Sequence, residues 1–307
     1  MHGRTHNIIE TTNCLIQDKL SQEIASELFN ILKKYNIAPY NEKNGSGIIR
    51  HIIIRIGKYT NEVIVIIVLN QEILPNEKNI IAEITKKYRE IKTIVKNINT
   101  ENTNVILGNI TQIIFGNGYI KDYLGEYQFN ISPVSFYQVN PIQTVKLYNK
   151  AIKCAELTGT EIIFDLYCGI GTIGIFASKY AKRVYGIEVV EQATEDAKEN
   201  AKINEINNIV FYTGKVEELL PKLVKENKAD IIFIDPPRKG LDENTINTIL
   251  KSESKKIIYI SCNPATLARD LSILVQKYNI KEVQPIDMFP FTSHVECCAL
   301  LELKNCQ

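Results

Sequence analysis

Cys262 stands in Ser261-Cys-Asn-Pro264, between an apolar run and a proline suited to the first turn of a helix. A cysteine beside a helix N-terminus has its thiolate favoured by the positive end of the dipole, and the thiolate is the nucleophilic form. The chain holds seven cysteines (Cys14, Cys154, Cys168, Cys262, Cys297, Cys298 and Cys306), and a free cysteine is ordinarily a small buried apolar residue. Cys168 lies in a glycine loop, and Cys297 and Cys298 lie within an apolar strand. A carboxylate that could move a proton near the thiol is Glu296, in His294-Val-Glu-Cys-Cys-Ala-Leu-Leu-Glu302. That segment reads as a late strand, and its first carboxylate either borders the same cleft or is a solvated strand end.

The second constellation is a nucleotide loop. Asp165-Leu-Tyr-Cys-Gly-Ile-Gly-Thr172 follows a strand and opens a helix, and Gly169, Gly171 and Gly174 fit G-x-G-x-x-G. Glu188 ends the next strand, where a carboxylate can take both hydroxyls of an adenosine ribose. Dinucleotide enzymes share this layout. They have no need of Asp235-Pro-Pro-Arg238 after the fourth strand, whereas methyltransferases commonly place such a segment beside the methyl group. Its two prolines stiffen the loop by fixing φ. S-adenosylmethionine is therefore the expected cofactor.

The elements that must position these groups fall into two parts, residues 1–130 and 131–307. In the first, Leu20 to Tyr35 has the apolar spacing of an amphipathic helix, with Ser21 placed to cap it. His51 to Ile56 and Glu62 to Leu69 read as a β-hairpin, Asn79 to Val95 as a helix, and Asn104 to Leu107 and Gln112 to Phe115 as short strands. This part is expected to be a small α+β domain with an antiparallel sheet. In the second, strands at Ile162 to Leu166, Arg183 to Glu188, Ile209 to Tyr212, Ile231 to Asp235 and Ile257 to Ser261 alternate with helices at Thr172 to Tyr180, Glu191 to Asn204 and Pro264 to Val275. Apolar strands separated by helices predict a Rossmann-like parallel sheet covered on both faces, with ligands at the carboxyl ends of its strands.

Composition sets the frame for this chemistry. The 307 residues suit two domains, and 45% hydrophobic with 23% charged residues is ordinary for a globular chain. The net charge of +1 favours no partner. No Cys-x-x-Cys pair and no histidine cluster is present, two of the four histidines falling in the first six residues, so no metal site is expected. The longest aliphatic run, Val63 to Leu69, is too short to cross a bilayer, and without a secretory start a cytoplasmic location is expected.

Taken together, Ser132-Pro-Val-Ser-Phe-Tyr-Gln-Val-Asn140, Asp165-Leu-Tyr-Cys-Gly169, Gly186-Ile-Glu188, Asp235-Pro-Pro-Arg238, Ser261-Cys-Asn-Pro264 and His294-Val-Glu296 resemble the RNA 5-methyluridine (uracil-C5) methyltransferase family. The resemblance covers the whole second half and, more loosely, the first. It implies methyl transfer from S-adenosylmethionine to C5 of a uridine in RNA through a covalent adduct of Cys262 with C6. It also implies Glu296 as proton acceptor, Gln138, Tyr167, Gly169, Glu188 and Asp235 at the cofactor, and Phe136 and Asp235 at the target base. The implied target is 23S ribosomal RNA, from the Asn- and Ile-rich chain and its D-M-F-P-F-T-S-H-V-E end, with transfer RNA as the alternative.

Many members of that family begin with a β-barrel RNA-binding (TRAM) domain and a cysteine cluster that holds a four-iron, four-sulfur centre. No such barrel is read here, and Cys14, in Asn13-Cys-Leu-Ile16, resembles the last cluster ligand only. One cysteine cannot hold a cluster, so an iron-sulfur centre is not expected in this chain. The expectation is intact cofactor and base chemistry with reduced RNA affinity. A different class, a truncated RNA-binding protein with little activity, is the rival reading. Amino-group methyltransferases are disfavoured because Arg238 replaces the aromatic residue of their D-P-P-Y segment.

Overall fold

The computed structural model describes Thr11 and residues 14–304; Cys306 and the histidines at positions 2 and 6 lie outside the described residues. The chain forms two compact units, one of residues 1–57 and 61–120, the other of residues 58–60 and 121–307. Residues 121–130, read from sequence with the first part, thus fold with the second. Among the described residues, no helix is long and apolar enough to cross a membrane.

The first unit holds α1 (Lys19–Lys34), β1 (Ile49–Ile56), β2 (Val63–Leu69), α2 (Glu77–Lys87), β3 (Ile91–Ile98) and β4 (Ile110–Gly116), its strands in spatial order β1-β2-β3-β4. Helix α1 starts where its amphipathic spacing does, but its cap is Asp18, whose side chain accepts from Leu20 N–H at 2.9 Å. Ser21, expected in that role, is buried one turn inside and donates to the Asp18 carbonyl. The helix expected over Asn79 to Val95 ends at Lys87. Beyond it Ile91, Thr93, Ile94 and Val95 are β-branched and buried, and form the centre of β3. Asn104 to Leu107 is loop.

The sheet is mixed rather than antiparallel. β1 and β4 pair antiparallel with their neighbours, but β2 and β3 run parallel. A parallel pair needs a crossover, and α2 supplies it. Its Ile80 and Ile84 pack with Ile24, Leu28 and Leu32 of α1 and with Val63, Val65 and Ile67 of β2 in one apolar core.

The second unit holds β5 (Ile120–Leu124), β6 (Tyr127–Ile131), α3 (Pro141–Ala155), β7 (Ile162–Leu166), α4 (Thr172–Ser178), β8 (Arg183–Glu188), α5 (Glu191–Ile203), β9 (Ile209–Thr213), α6 (Val216–Glu226), β10 (Ile231–Ile234), α7 (Glu243–Ser252), β11 (Lys256–Ser261), α8 (Pro264–Leu274), β12 (Tyr278–Ile286) and β13 (Glu296–Leu303). Its seven-stranded sheet runs β12-β13-β11-β10-β7-β8-β9. Strands β11, β10, β7, β8 and β9 are parallel, as their alternation with helices predicts. The sheet as a whole is not parallel: β13 inserts antiparallel between β11 and β12. Phe164, Ile232, Ile234, Ile257 and Tyr259 from the central strands share a core with Leu220, Ile249, Leu267 and Leu271 from the helices. This buried aliphatic layer fixes where every strand ends, and hence where the loops with chemistry begin.

Candidate active site

Four parallel strands end side by side, each delivering one residue of interest. β7 leads to Tyr167, β8 ends in Glu188, β10 leads to Asp235 and β11 leads to Cys262. The registers align them: Leu166 pairs with Ile187 and with Ile234, and Ile234 pairs with Tyr259. Strand β13 runs the other way, so its first residue, Glu296, lies at the same end. Ser261 pairs with Cys297, which sets Cys262 and Glu296 as the next positions outward on neighbouring strands.

The glycine loop is held by acidic residues on both sides. Glu188 accepts from Gly169 N–H at 3.0 Å through one oxygen and from Val190 N–H at 2.8 Å through the other. Asp165 accepts from Gly174 N–H at 2.8 Å. Its other carboxylate oxygen is buried without a hydrogen-bond partner. Burial pushes the Asp165 carboxyl up to about 7, against the pull of Gly174 N–H and with help from the Glu188 charge. At Gly171, with φ +82°, a Cβ would come within 2.7 Å of the Phe211 ring, so only glycine lets the loop pass. At Gly169 no atom lies within 4 Å of where a Cβ would stand. The loop therefore opens onto free space beside Glu188.

These features fit an adenosine-bearing cofactor: an open backbone turn, a carboxylate with lone pairs left for ribose hydroxyls, and a half-buried aromatic ring at Tyr167. Tyr167 has φ +62°. Among the described residues, Phe291 (φ +66°) is the other aromatic in the left-handed region. Each conformation costs on the order of 1–2 kcal/mol, and such strain gathers where function requires it.

Around Cys262 the electrostatics differ from the sequence expectation. Cys262 directly precedes Asn263, the cap of α8, whose side chain accepts from Ala265 N–H, and Pro264 occupies the first turn. Yet burial pushes the thiol up from its ordinary value, and the carboxylates of Glu296 and Asp235 push it further, while Arg238 pulls it down. The neighbours outweigh the helix end. Glu296 is 3% exposed, and burial raises its carboxyl to about 7 against the opposing charge of Arg238. Asp235 is half-buried, and desolvation together with the charges of Glu296 and Asp165 holds it well above the carboxylate range. Near neutral pH the Glu296 carboxyl holds a proton part of the time, which relieves the repulsion that a thiolate would meet.

The loop after β10 is clamped from below. Asn263 Nδ2 and Thr266 Oγ1 donate to the Arg238 carbonyl at 3.1 and 3.2 Å. Asp270, fully buried, accepts from Leu241 N–H at 2.8 Å and from the Tyr259 hydroxyl at 2.7 Å, while Arg269 donates to the Lys239 carbonyl. Arg238 itself approaches His294 Nε2 at 3.5 Å, which joins the loop to the segment before Glu296.

The stretch with Phe136 and Gln138 is strapped to α5. Asn204 and Asn200 each take one residue of β6 by both its N–H and its C=O: Gln128 at 3.0 and 2.7 Å, Asn130 at 2.8 and 3.4 Å. Asn200 Nδ2 also reaches the Ile170 carbonyl of the glycine loop at 3.3 Å. One turn earlier Asp196 accepts from Ser135 Oγ at 2.6 Å. Asp196 and Asn200 of α5 and its C-cap Asn204, at i, i+4 and i+8, thus hold β6 and the stretch after it. Gln138 is buried, whereas Phe136 is 67% exposed.

Sequence reasoning missed these α5 residues, the Asp270 clamp, and Tyr148. Tyr148 is buried in α3, its hydroxyl 3.0 Å from Thr172 Oγ1, and the charges of Asp235, Asp165 and Glu296 all act on it. Its helical spacing with Thr144, Leu147 and Ala151 marks it as core and nothing more. Cys168 is buried packing, its thiol raised by burial. In the first unit, Cys14 is half-buried, its backbone N–H and C=O paired with the Gln22 side chain.

The tRNA (Uracil-5-)-methyltransferase family matches residues 21–304. A Bacillus cereus protein described as an uncharacterized RNA methyltransferase is 47% identical over 301 residues, covering 97% of this chain and 66% of that protein. A Clostridium acetobutylicum protein described in the same words is 48% identical, covering 97% and 65%. The chain therefore spans just under two thirds of the length of these curated relatives. Among solved structures, the Pyrococcus abyssi tRNA (uracil-54, C5)-methyltransferase in complex with S-adenosyl-L-homocysteine superposes with a TM-score of 0.81 at 32% identity, covering 96% of this chain and 70% of that one. A tRNA m1G37 methyltransferase of M. jannaschii shares the fold alone, with a TM-score of 0.52 and 14% identity over 87% of this chain and 79% of that one.

Proposed function

Because the chain belongs to the tRNA (uracil-5-)-methyltransferase family, we propose that it transfers a methyl group from S-adenosylmethionine to C5 of a uridine in RNA, giving 5-methyluridine. The observation that carries this reading is the β11–β13 register, which sets the Cys262 thiol beside the Glu296 carboxyl at the end of the sheet where Asp235 and Glu188 also stand.

C5 of uracil is a poor nucleophile. Once the Cys262 thiol has lost its proton to solvent, addition of the thiolate to C6 forms a C–S bond and moves the ring's π electrons towards C5 and O4 as an enolate. S-adenosylmethionine, when bound, supplies the electrophilic methyl group. Glu296 then takes the C5 proton, and the electron pair left behind re-forms the C5–C6 double bond and expels the sulfur. Glu188, Gly169, Tyr167 and Gln138 are assigned to holding the cofactor, Asp235 to the boundary between cofactor and uracil, and Phe136 to stacking on the extruded base. A Glu296 carboxyl near 7 suits a group that must accept a proton and return it to solvent at neutral pH.

The D-M-F-P-F-T-S-H-V-E segment supports a 23S ribosomal RNA target, and the names of the family and of the Pyrococcus protein support transfer RNA. Incubation with S-adenosylmethionine and unmodified transcripts of either RNA, followed by nucleoside analysis, separates the two. Absence of 5-methyluridine from both RNAs would reject the activity.

A further inference from the structure

The segment between β12 and β13 leads straight into Glu296 and carries Phe291 at its crest. Phe291 is 91% exposed, more than any other large hydrophobic residue among those described. It contributes nothing to a core, and its φ of +66° is one that a bulky L-residue avoids. The surrounding loop nevertheless holds it there with a dense set of contacts. Thr292 donates twice to the Phe289 carbonyl, through N–H at 3.1 Å and Oγ1 at 2.7 Å. His294 N–H donates to Thr292 Oγ1, and the Phe289 and His294 rings meet edge to face at 6.3 Å. Met288, 1% exposed, anchors the loop's base, and its carbonyl accepts from Asn140 Nδ2, which follows the Phe136–Gln138 stretch. Arg238 reaches His294 from the other side. A well-braced loop that spends strain to present an aromatic ring to solvent, five residues before the proposed base, is built to meet a flat apolar ligand.

We propose that Phe291 stacks on an unpaired RNA base next to the target uridine, so that the enzyme selects a uridine by what lies beside it. An unpaired base offers such a face, and aromatic side chains are the common means of gripping single-stranded RNA. The cationic Arg238 borders the same segment through its His294 contact, which gives an RNA strand a charged neighbour. The choice of RNA as ligand rests on the methyl-transfer reading; the presence of a stacking ring does not.

The chain contains no tryptophan, so Phe291→Trp creates its sole indole. The fluorescence of this variant should be quenched on titration with a hairpin RNA whose loop bases are unpaired, and should stay unchanged with a blunt duplex of the same composition. Phe291→Ala should weaken binding of the hairpin about tenfold, the worth of roughly one base stack, and Phe291→Tyr should restore it. Phe291→Gly relieves the left-handed φ, so it should melt no lower than the parent while binding as poorly as the alanine variant. Unchanged indole emission, or equal hairpin affinity for Phe291→Ala and parent, would overturn the proposal. So would loss of self-association in Phe291→Ala at unchanged RNA affinity. These titrations contain no methyl donor. Quenching without 5-methyluridine formation would count against the methyl-transfer reading alone, and product formation with flat emission against Phe291 alone.

Discussion

Ser261 of β11 and Cys297 of β13 are register partners, and the residue just outside each is one of the two on which the proposed chemistry turns. The proposed nucleophile and base are thus neighbours by strand pairing. A slip of β13 by one residue would send Glu296 to the opposite face.

Cys262→Ser should abolish methyl transfer, by at least about 10³-fold, together with any covalent RNA adduct. Binding of S-adenosylhomocysteine, followed calorimetrically, should change little because the residues assigned to the cofactor are untouched. Turnover near the parent rate would refute covalent catalysis.

Glu296→Gln should trap the methylated adduct, since elimination of the sulfur needs the C5 proton removed. In the parent, turnover should rise with pH as Glu296 loses its proton around 7, and the glutamine variant should lack that limb. Denaturing gels that resolve protein–RNA adducts, run across pH, test both statements.

The raised carboxyls also bear on stability. Asp165 and Glu296 are held near 7 in the folded chain, above the 3.8 and 4.5 ordinary for such groups. Between those limits the unfolded chain has released protons that the folded one keeps, so stability falls as pH rises through the window, each group contributing on the order of 3 kcal/mol. Asp165→Asn keeps an acceptor for Gly174 N–H and should flatten this slope in urea melts taken from pH 4 to 8. A slope as steep as the parent's would mean that Asp165 is ionised in the fold.

Asn200→Ala leaves the Asn130 N–H and the Ile170 carbonyl without their partner in a fully buried place. The cost should be about 1–3 kcal/mol of stability. Because the same side chain ties β6 to the glycine loop, the affinity for S-adenosylhomocysteine should fall more than it does for Lys202→Ala on the exposed face of α5. Equal losses would make Asn200 a purely structural residue.

Much of the second unit could be read from its residues. Ile162–Leu166 and Arg183–Glu188 were bounded as the structure has them, because strands buried on both faces leave unbroken aliphatic runs. Edges were harder. β12 is largely exposed, mixes charges with Ile280 and Val283, and contains Pro285, so it carries no clear period. Helix α3 is marked in the sequence only by Asn140 and Pro141, its cap and first turn. In the first unit, β3 reads from sequence as the tail of a helix because its apolar spacing continues that of α2 past Lys87. The site divides likewise. The positions of Cys262, Asp235 and Glu188 follow from strand ends, which are local. The upward push on the Cys262 thiol comes first from burial and then from Glu296, 34 positions on in the chain and adjacent only through the sheet.

The antiparallel insertion of β13 also has a consequence for how the protein is made. The turns around Gly169, Glu188 and Asp235 are complete once β7, β8, β10 and β11 have left the ribosome. The carboxyl at position 296 arrives last, on a strand that must slide between β11 and β12. Until then the outer edge of β11 is an open row of backbone donors and acceptors, beside the Cys262 thiol. On the proposed chemistry, a chain stopped before β13 would carry the residues assigned to the cofactor and lack the proposed base.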